Sequence, residues 1–474
     1  MRVARIIAAA TICLFLASAE LLFAVSAKPG LFDKTGYCKT TGAYLPRSYD
    51  AWDEPEPLKA PVVGIRKAIV ILVEFSDNRA DRVHHPTSAY ETLLFDSTGA
   101  VPTGSMHEYY QEVSYGQFFL TGVVTDWFVL PQTNSYYAGE GFGRGEWPQN
   151  RRRLAYDAVV MADPHVDFSQ FDGDGDGFVD ALFIVHAGPG GEETGDSTDI
   201  WSHKWRIPAN EDGTGDGYMT DDGVRAYSYA MEPEEDAEGN LITIGVFCHE
   251  YGHVLGLPDL YDRDYSSEGI GNWGLMAGGS WGGDGHSPEL PVHFCAWSKE
   301  QLGWLTPLVV TDNVLAQPVS TVEQSPEAYK LWTDGLPGDE YFLIVNRQKI
   351  GFDVNLFNSG LLIWHVDLSV ETQNDDEGHK LVDLEEADGR NDLDKGGGRG
   401  DDGDPYPGSA NNRTFDLFSS PNSRTCVGDL SQVAVFNISD SQPTMTVDME
   451  IRTDYPILIY DDAVIIDDDG NGNG

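Results

Sequence analysis

The segment His249-Glu250-Tyr251-Gly252-His253 constrains this chain more than any other part of the sequence. Two histidines four residues apart lie on one face of an α-helix, so both imidazoles can reach the same metal ion. Glu250, between them, would lie beside that ion, where a carboxylate can take a proton from a bound water. The segment therefore predicts a metal-binding helix that carries its own general base.

The residues after the second histidine supply a third candidate ligand. Gly256 allows the chain to leave the helix in a turn, and that turn can bring Asp259 back toward both histidines. Asp262, Asp264 or a glutamate from residues 291–304 could complete the site instead. A buried helix with two hydrogen-bonded histidines is the simpler alternative, but the added glycine and aspartate favour a zinc site.

This helix is expected to be buried on nearly every side. Residues 241–248 form an apolar run, and Tyr251, Val254 and Leu255 continue it at helical spacing. A dry environment strengthens the pull of a zinc ion on its water, which supplies hydroxide at neutral pH. Met276, in a glycine-rich turn, could form an apolar floor beneath the metal.

A second motif has the spacing of a calcium-binding loop. Asp172, Asp174, Asp176 and Asp180 stand at positions 1, 3, 5 and 9 of a glycine-rich loop that leads into an apolar strand. Position 12 is Phe183 and not glutamate, so the loop is not a complete EF-hand. The segment predicts a structural calcium site, with an acidic turn that binds no metal as the alternative.

The pattern of the remaining chain predicts mixed α and β structure. We expect a buried strand at residues 67–75, helices at 105–115, 151–161 and 291–304, and a strand pair at 118–130. Residues 311–451 alternate like short strands, which is typical of a β-sandwich or jelly-roll. Within them, residues 400–405 form a second acidic loop, and His365 and Asp367 are expected to be structural and not catalytic.

Length and charge limit the class of protein. A chain of 474 residues is long enough for two or three domains. Its formal net charge of -47 argues against nucleic acid or an anionic membrane as a partner.

The N-terminus has the features of a secretory signal. Arg2 and Arg5 precede an uncharged, mostly apolar run that is too short to span a bilayer. Small-x-small cleavage sites end at Ala19 and Ala27, and we prefer the second. No later segment has 18 consecutive apolar residues, so no membrane anchor is visible.

Four cysteines remain once Cys13 leaves with the signal: Cys38, Cys248, Cys295 and Cys426. A disulfide between Cys248 and Cys295 and two buried free thiols are both consistent with the sequence. Cys38 precedes the first strand, where its thiolate could cap the zinc ion as a latency switch.

These motifs and several further segments resemble the immune inhibitor A-like metalloproteases, a bacterial family of secreted zinc endopeptidases. The resemblance covers most of residues 65–450, and the segments that carry it are residues 69–75, 112–120, 172–180, 184–188, 200–203, 340–346, 360–367 and 404–408. Members often have a long N-terminal pro-region, whereas here about thirty residues separate the signal from the first strand.

The resemblance implies a role for each candidate site residue. His249, His253 and Asp259 would bind zinc, Glu250 would be the general base, and the four aspartates of the loop at 172–180 would bind calcium. The expected fold class is α+β: a zincin- or metzincin-like catalytic domain, with a twisted mixed sheet and an active-site helix, followed by an all-β sandwich or jelly-roll-like domain.

The expected organisation has five parts. They are a signal peptide (1–27), a leader or short pro-segment (28–60), a zinc metalloprotease catalytic domain (61–308), a β-sandwich domain (309–452) and an acidic Gly/Asn-rich tail (453–474). The expected function is that of a secreted, monomeric zinc-dependent endopeptidase acting on proteins or peptides, with Tyr261, Tyr265 or His286 as candidates to stabilise the oxyanion. The alternative is a secreted calcium-dependent binding or adhesion protein with a vestigial zinc site.

Overall fold

A computed structural model describes residues 25–33, 36–44, 60–139, 141–370 and 373–451. Its first sheet has six strands in the order β2-β1-β4-β8-β5, with β3 also paired to β1. The first eight strands are β1 (Gly64–Glu74), β2 (Phe118–Val124), β3 (Phe128–Val129), β4 (Leu182–Pro189), β5 (His203–Arg206), β6 (Tyr218–Met219), β7 (Arg225–Ala226) and β8 (Ser228–Glu235). Only β5 runs antiparallel to its neighbour in this sheet, while β6 and β7 form a separate ribbon.

The central strand β1 is buried because both faces of the sheet are covered. Its residues from Ala68 to Glu74 are all buried, as expected for an apolar run in a parallel sheet. It pairs in parallel with β2, β3 and β4, so the two strands predicted at 118–130 lie along β1 and are not a hairpin.

Seven α-helices accompany the strands in the described chain. They are α1 (Thr87–Phe95), α2 (Met106–Val113), α3 (Asn134–Ala138), α4 (Arg151–Ala162), α5 (Gly191–Thr194), α6 (Ile244–Val254) and α7 (Ala296–Gln301). Helix α2 begins with a capping box, in which the Ser105 side chain accepts from the Glu108 N–H and the Glu108 side chain accepts from the Ser105 N–H.

The prediction of a helix at residues 291–304 is wrong for the first part of that range. Residues 291–295 are not helical: the Val292 N–H donates to the Gly279 carbonyl, and the His293 carbonyl accepts from the Leu275 N–H of the glycine-rich turn. Tertiary pairing therefore outweighs helical propensity there, and only α7 is helical.

The later strands form two further sheets. They are β9 (Leu308–Val309), β10 (Val314–Ser320), β11 (Tyr329–Trp332), β12 (Glu340–Arg347), β13 (Gly360–Asp367), β14 (Val382–Leu384), β15 (Thr414–Phe415), β16 (Val433–Phe436) and β17 (Thr444–Ile451). One sheet has the order β14-β13-β12-β11-β9 and the other β10-β17-β16-β15.

The five-stranded sheet packs on both of its faces. Phe342 and Ile344 of β12 share a core with β16 and β17, whereas Leu343 and Val345 of the same strand belong to the core of the first sheet. This alternation is the two-residue period of a strand. The chain is thus a mixed α/β protein, and the separate β-sandwich domain stays a prediction.

The predicted signal peptide lies outside the described residues except for its last three, and the acidic tail at 453–474 lies outside them entirely. Within the described ranges, no helix is both long enough and apolar enough to cross a membrane.

Candidate metal centre

The metal-binding motif lies on α6, which is buried along almost its whole length. Every residue from Ile244 to His253 is buried. Gly252, between the two histidines, packs against Met276, so that an added Cβ would lie 2.5 Å from the Met276 sulfur. Met276 therefore packs against the helix between the two histidines, and its predicted place beneath a metal ion stays a prediction.

The helix ends in a glycine turn that also holds one of the histidines. Gly256 has a φ of 100°, and its N–H donates to the His253 carbonyl, while the Leu257 N–H donates to the Gly252 carbonyl. This pair of bonds is a Schellman motif, which requires a left-handed residue at the position of Gly256. The Leu257 carbonyl then accepts from His253 Nδ1 at 2.8 Å.

The turn brings Asp259 to the two histidines. Nε2 of His249 and Nε2 of His253 are 3.1 Å apart, and Oδ1 of Asp259 lies 3.2 and 3.1 Å from them. A tetrahedral zinc ion with bonds of about 2.0–2.1 Å separates neighbouring ligand atoms by about 3.3 Å. The three atoms therefore have the spacing of ligands around one zinc ion.

Two further observations fit a metal at this position. Neither oxygen of the buried Asp259 accepts a well-formed hydrogen bond from any residue that the structure describes. His249 Nδ1 is 2.9 Å from the Leu275 carbonyl, so backbone acceptors orient both imidazoles with Nε2 toward the centre.

Electrostatics favour an ionised third ligand. Burial alone would raise the pKa of Asp259, but His253 and His249 outweigh it and lower that pKa to about 2. Burial also lowers the pKa of His253 and so favours its neutral, metal-binding form.

The alternative third ligands have other partners. Asp262 accepts hydrogen bonds from Asp264 N–H and from Ser266 and Ser267, and Asp264 accepts from the Ser266 N–H. Glu300, the one glutamate within residues 291–304, forms an ion pair with Lys330 at 2.5 Å.

Glu250 lies next to the three candidate ligands in a fully buried position. Burial, with the negative charges of Glu232 and Asp259, raises its pKa well above the ordinary value. Glu232 comes from β8 and is also fully buried, and its two oxygens accept no hydrogen bond within the described part of the chain. No local motif marks Glu232, so sequence reasoning missed it.

An N-terminal segment reaches the same carboxylate. The Val25 N–H donates to Glu250 Oε1 at 2.6 Å. The carbonyls of Val25 and Ser26 accept from the indole N–H groups of Trp201 and Trp281, both at 2.9 Å. Because the sequence assigned residues 1–27 to a signal peptide, this contact was not expected.

The three candidate oxyanion donors are placed differently. The Tyr261 ring stacks on His249 with centroids 6.4 Å apart. Tyr265 has a φ of 65° and packs partly against the small core that contains Trp201. His286 is exposed on a turn with Asp284.

Cys38 lies away from this centre. Its buried thiol packs against Gly195, and an added Cβ there would lie 2.7 Å from the sulfur. The described residues that group their ligand atoms at the centre are His249, His253 and Asp259 alone, so the idea of a Cys38 cap is wrong. Cys248 and Cys295 are free and buried, and Cys38 and Cys426 are also free.

The calcium loop brings three of its four aspartates together. Ligand atoms of Asp172, Asp174 and Asp176 lie within 4.8 Å of one another. Asp180 instead accepts from the Gly173 N–H at 2.7 Å. Oδ1 of Asp172 is buried and accepts no hydrogen bond from a described residue, which fits a cation there.

The acidic loop at 400–405 contributes one residue to another cluster of carboxylates that could hold a metal ion. Asp404 lies within ligand distance of Glu386 and Asp388, and it accepts from the Trp273 indole at 2.8 Å.

The mixed sheet, the buried HExxH helix and the Asp259 carboxylate as third candidate ligand define a metallopeptidase-type centre. Residues 59–305 match the family model described as the immune inhibitor A peptidase M6 catalytic domain, and the chain belongs to this family.

Two relatives illustrate the similarity. The chain is 36% identical to immune inhibitor A of Bacillus thuringiensis subsp. alesti over 275 residues, which are 49% of this chain and 39% of that protein. It is 29% identical to the pre-pro-metalloprotease PrtV of Vibrio cholerae serotype O1 (strain M66-2) over 282 residues, which are 50% of this chain and 29% of that protein. The match spans well under two thirds of either relative.

Proposed function

We propose that this protein is a zinc-dependent endopeptidase that hydrolyses peptide bonds in protein substrates. The observation that carries the proposal is the convergence of two imidazole Nε2 atoms and the Asp259 carboxylate beside Glu250. Imidazole and carboxylate are preferred zinc ligands, and a catalytic zinc site has three protein ligands and one open position.

Glu250 is the proposed general base. A bound zinc ion lowers the pKa of water and polarises the substrate carbonyl. Glu250 takes the proton of the attacking water and later gives it to the leaving amine. Burial raises its pKa, which helps the carboxyl keep the proton between the two transfers, and the positive charge of a bound zinc ion would favour the ionised form that accepts it.

Tyr261 is the proposed hydrogen-bond donor to the oxyanion. Its ring lies against His249, and burial raises its pKa well above the ordinary value, so the phenol keeps its proton. A Tyr261→Phe variant is expected to lose about 10- to 1000-fold in kcat while KM changes little. An unchanged kcat would assign the oxyanion contact to another group.

We propose that the segment before β1 restrains activity until it is removed. The hydrogen bond from the Val25 N–H to Glu250 Oε1 lowers the pKa of this carboxyl and so weakens it as a base, and the segment fills space beside it. Arg399 donates to the Ala27 carbonyl at 3.0 Å, and Lys28 forms an ion pair with Glu193 at 2.5 Å, which fix the segment in place. Signal cleavage after Ala27 would remove the residues that touch Glu250, and residues 28–60 would remain as a leader.

This restraint is tested by comparing chains that begin at residues 25, 28 and 61. The chain from residue 25 is expected to turn over substrate slowest, because it retains the contact with Glu250. Equal rates for the three chains, with equal zinc contents, would contradict the restraint but leave the proposed reaction intact.

Calcium and secretion complete the proposal. The loop of Asp172, Asp174, Asp176 and Asp180 is proposed to bind structural calcium, because hard carboxylate oxygens suit that cation. The apolar N-terminal run with its small-x-small sites supports export, and we propose a secreted monomer.

Casein hydrolysis by the purified chain, with zinc measured on the same sample, tests the proposed function. Zinc bound at this centre and activity that a chelator abolishes and zinc restores would support it. Zinc-free protein without turnover would instead favour the calcium-dependent binding or adhesion protein.

A further inference from the structure

A second group of metal-ligand side chains lies where the two C-terminal sheets meet. Glu340 begins β12, and His365 and Asp367 lie at the end of the neighbouring strand β13, with Glu340 paired opposite Asp367. Side chains two residues apart on a strand share a face, so His365 and Asp367 project to the same side. Cys426 reaches this face from the loop between β15 and β16 of the other sheet.

Three of these side chains converge on one point. His365 Nε2 lies 2.9 Å from Glu340 Oε1 and 3.8 Å from Cys426 Sγ. The Cys426 N–H also donates to Glu340 Oε1 at 2.6 Å, which holds the cysteine loop against β12. Ligand atoms of Glu340, His365 and Cys426 all lie within 4.8 Å of one another.

We propose that Glu340, His365 and Cys426 bind a zinc ion that ties the two C-terminal sheets together. Thiolate and imidazole are the ligands that select zinc over calcium or magnesium. With a Zn–S bond of about 2.3 Å and a Zn–N bond of about 2.0 Å, tetrahedral geometry separates sulfur from nitrogen by about 3.5 Å. The observed separation of 3.8 Å needs only a small adjustment to reach that value.

The imidazole of His365 is held as a zinc ligand would be. Its Nδ1 lies 3.1 Å from Glu385 Oε1, so a proton on Nδ1 is shared with that carboxylate and Nε2 faces Glu340 and the thiol. A carboxylate on the far nitrogen fixes the tautomer and increases the basicity of a ligating histidine. His249 and His253 have the same orientation, with backbone carbonyls in place of the carboxylate.

A fourth ligand is available on the other side of the thiol. Ligand atoms of Asp367 and His379 lie within 4.8 Å of Cys426 Sγ and of each other. His379 Nε2 is 2.7 Å from Asp367 Oδ2, and the His379 side chain is 37% exposed, so solvent and metal can reach it. Asp367 and His379 are therefore the candidates for the fourth ligand, because both lie near the thiol that Glu340 and His365 also approach.

The competing state is a metal-free ion-pair cluster. Burial disfavours a charged imidazole, but hydrogen bonds with Cys426, Glu340 and Glu385 outweigh it and raise the pKa of His365 well above its ordinary value. In that state the His365 imidazolium bridges two glutamates and the thiol stays available for reaction. The two states therefore differ in metal content and in thiol reactivity.

Cobalt substitution distinguishes them, because a thiolate on Co²⁺ gives an intense near-ultraviolet charge-transfer band and the catalytic centre contains no cysteine. The full chain carrying Glu250→Gln, which prevents self-digestion, is loaded with zinc or with cobalt and analysed for metal content and absorption. We expect a second equivalent of metal beyond that of the catalytic centre, together with the thiolate band.

Matched variants locate the second metal. Cys426→Ser is expected to lose the band and to bind the second zinc ion at least about 100-fold more weakly, because a ligand matters more than an outer-shell partner. Cys295→Ser, at another free cysteine, should keep the band and both metals. If Cys426→Ser does not fold, alkylation of Cys426 in the parent chain decides, with zinc protecting the thiol.

A single metal equivalent without a thiolate band would overturn the proposal, as would Cys426 alkylation at the same rate with and without zinc. Neither result would affect the catalytic centre, whose zinc is held by His249, His253 and Asp259.

Discussion

At the scale of single residues, the proposed reaction requires an ionised Glu250 that can take a proton. Glu250→Gln keeps the shape of the side chain and an acceptor for the Val25 N–H, but the amide cannot take a proton at neutral pH. We expect kcat to fall by at least about 1000-fold with unchanged zinc content. Peptide turnover and metal analysis on one sample check this, with the exposed Glu91→Gln as the control. Substantial turnover by Glu250→Gln would assign the base to another group.

The third ligand is a separate question at the same scale. Asp259→Asn removes the charge that faces both histidines, so zinc affinity should fall by more than about 100-fold. Asp262→Asn should keep its zinc, because Asp262 accepts hydrogen bonds within its own turn. Competition with a chelator measures both affinities. The reverse order would make Asp262 the ligand.

The convergence of these candidate site residues could be predicted from the sequence because they lie within eleven consecutive positions. A helix places His249 and His253 on one face, and a glycine turn returns Asp259, so local geometry sufficed. Glu232 and Val25 reach Glu250 only through tertiary folding, and no local pattern records such contacts.

At the scale of elements, the turn after α6 connects the helix end to the candidate metal centre. Alanine at Gly256 would have to adopt a φ of 100°, which costs about 1–2 kcal/mol for a residue with a Cβ. Gly256→Ala should lower the free energy of unfolding by about that amount and weaken zinc binding, because Leu257 orients His253 from this turn. Denaturant unfolding and chelator competition measure the two effects.

Gly141→Ala is the matched control for this variant. A Cβ there meets nothing within 4 Å, and Gly141 does not have a positive φ. Equal stability of the two alanine variants would show that the left-handed turn is not required.

Whether a buried strand could be predicted from the sequence depended on which residue types fill its buried positions. Strand β1 is an apolar run and was predicted within a few residues of its ends. Strand β8 is just as buried, but it contains Glu232, Pro233 and Glu234, so its composition is that of an exposed loop. Buried carboxyl groups near the candidate metal centre interrupt the apolar pattern of the strand that carries them, so the strand is not predicted from the sequence.

At the scale of the whole molecule, buried carboxyl groups make stability depend on pH. Burial raises the pKa of Glu192 to about 7, of Glu386 to about 8 and of Asp404 to about 7. A carboxyl with a raised pKa binds its proton more tightly in the folded state. Its contribution is fully present below the unfolded value of about 4 and is lost as the pH rises toward 8.

Carboxyl groups whose pKa is lowered in the folded chain have the opposite effect on stability, and this effect appears at lower pH. The pKa of Asp353 is about 2 because, against the effect of burial, the Arg347 guanidinium holds it ionised. Such a group stabilises the fold above the unfolded value of about 4, and this contribution is lost as the pH falls toward 2. The metal-free chain should therefore be most stable near about pH 4, between the two windows.

We expect the melting temperature of the metal-free chain to fall by several degrees, on the order of 5 °C, between pH 6 and pH 8. Calcium should reduce this fall, because a bound cation stabilises ionised carboxylates in a chain with a net charge of -47. Thermal unfolding in chelator and in calcium measures both effects. Glu386→Gln should flatten the profile and the exposed Glu91→Gln should not. A melting temperature that rises from pH 6 to pH 8 in chelator would mean that these carboxyls are ionised in the folded chain, and that their charges are compensated within the protein itself.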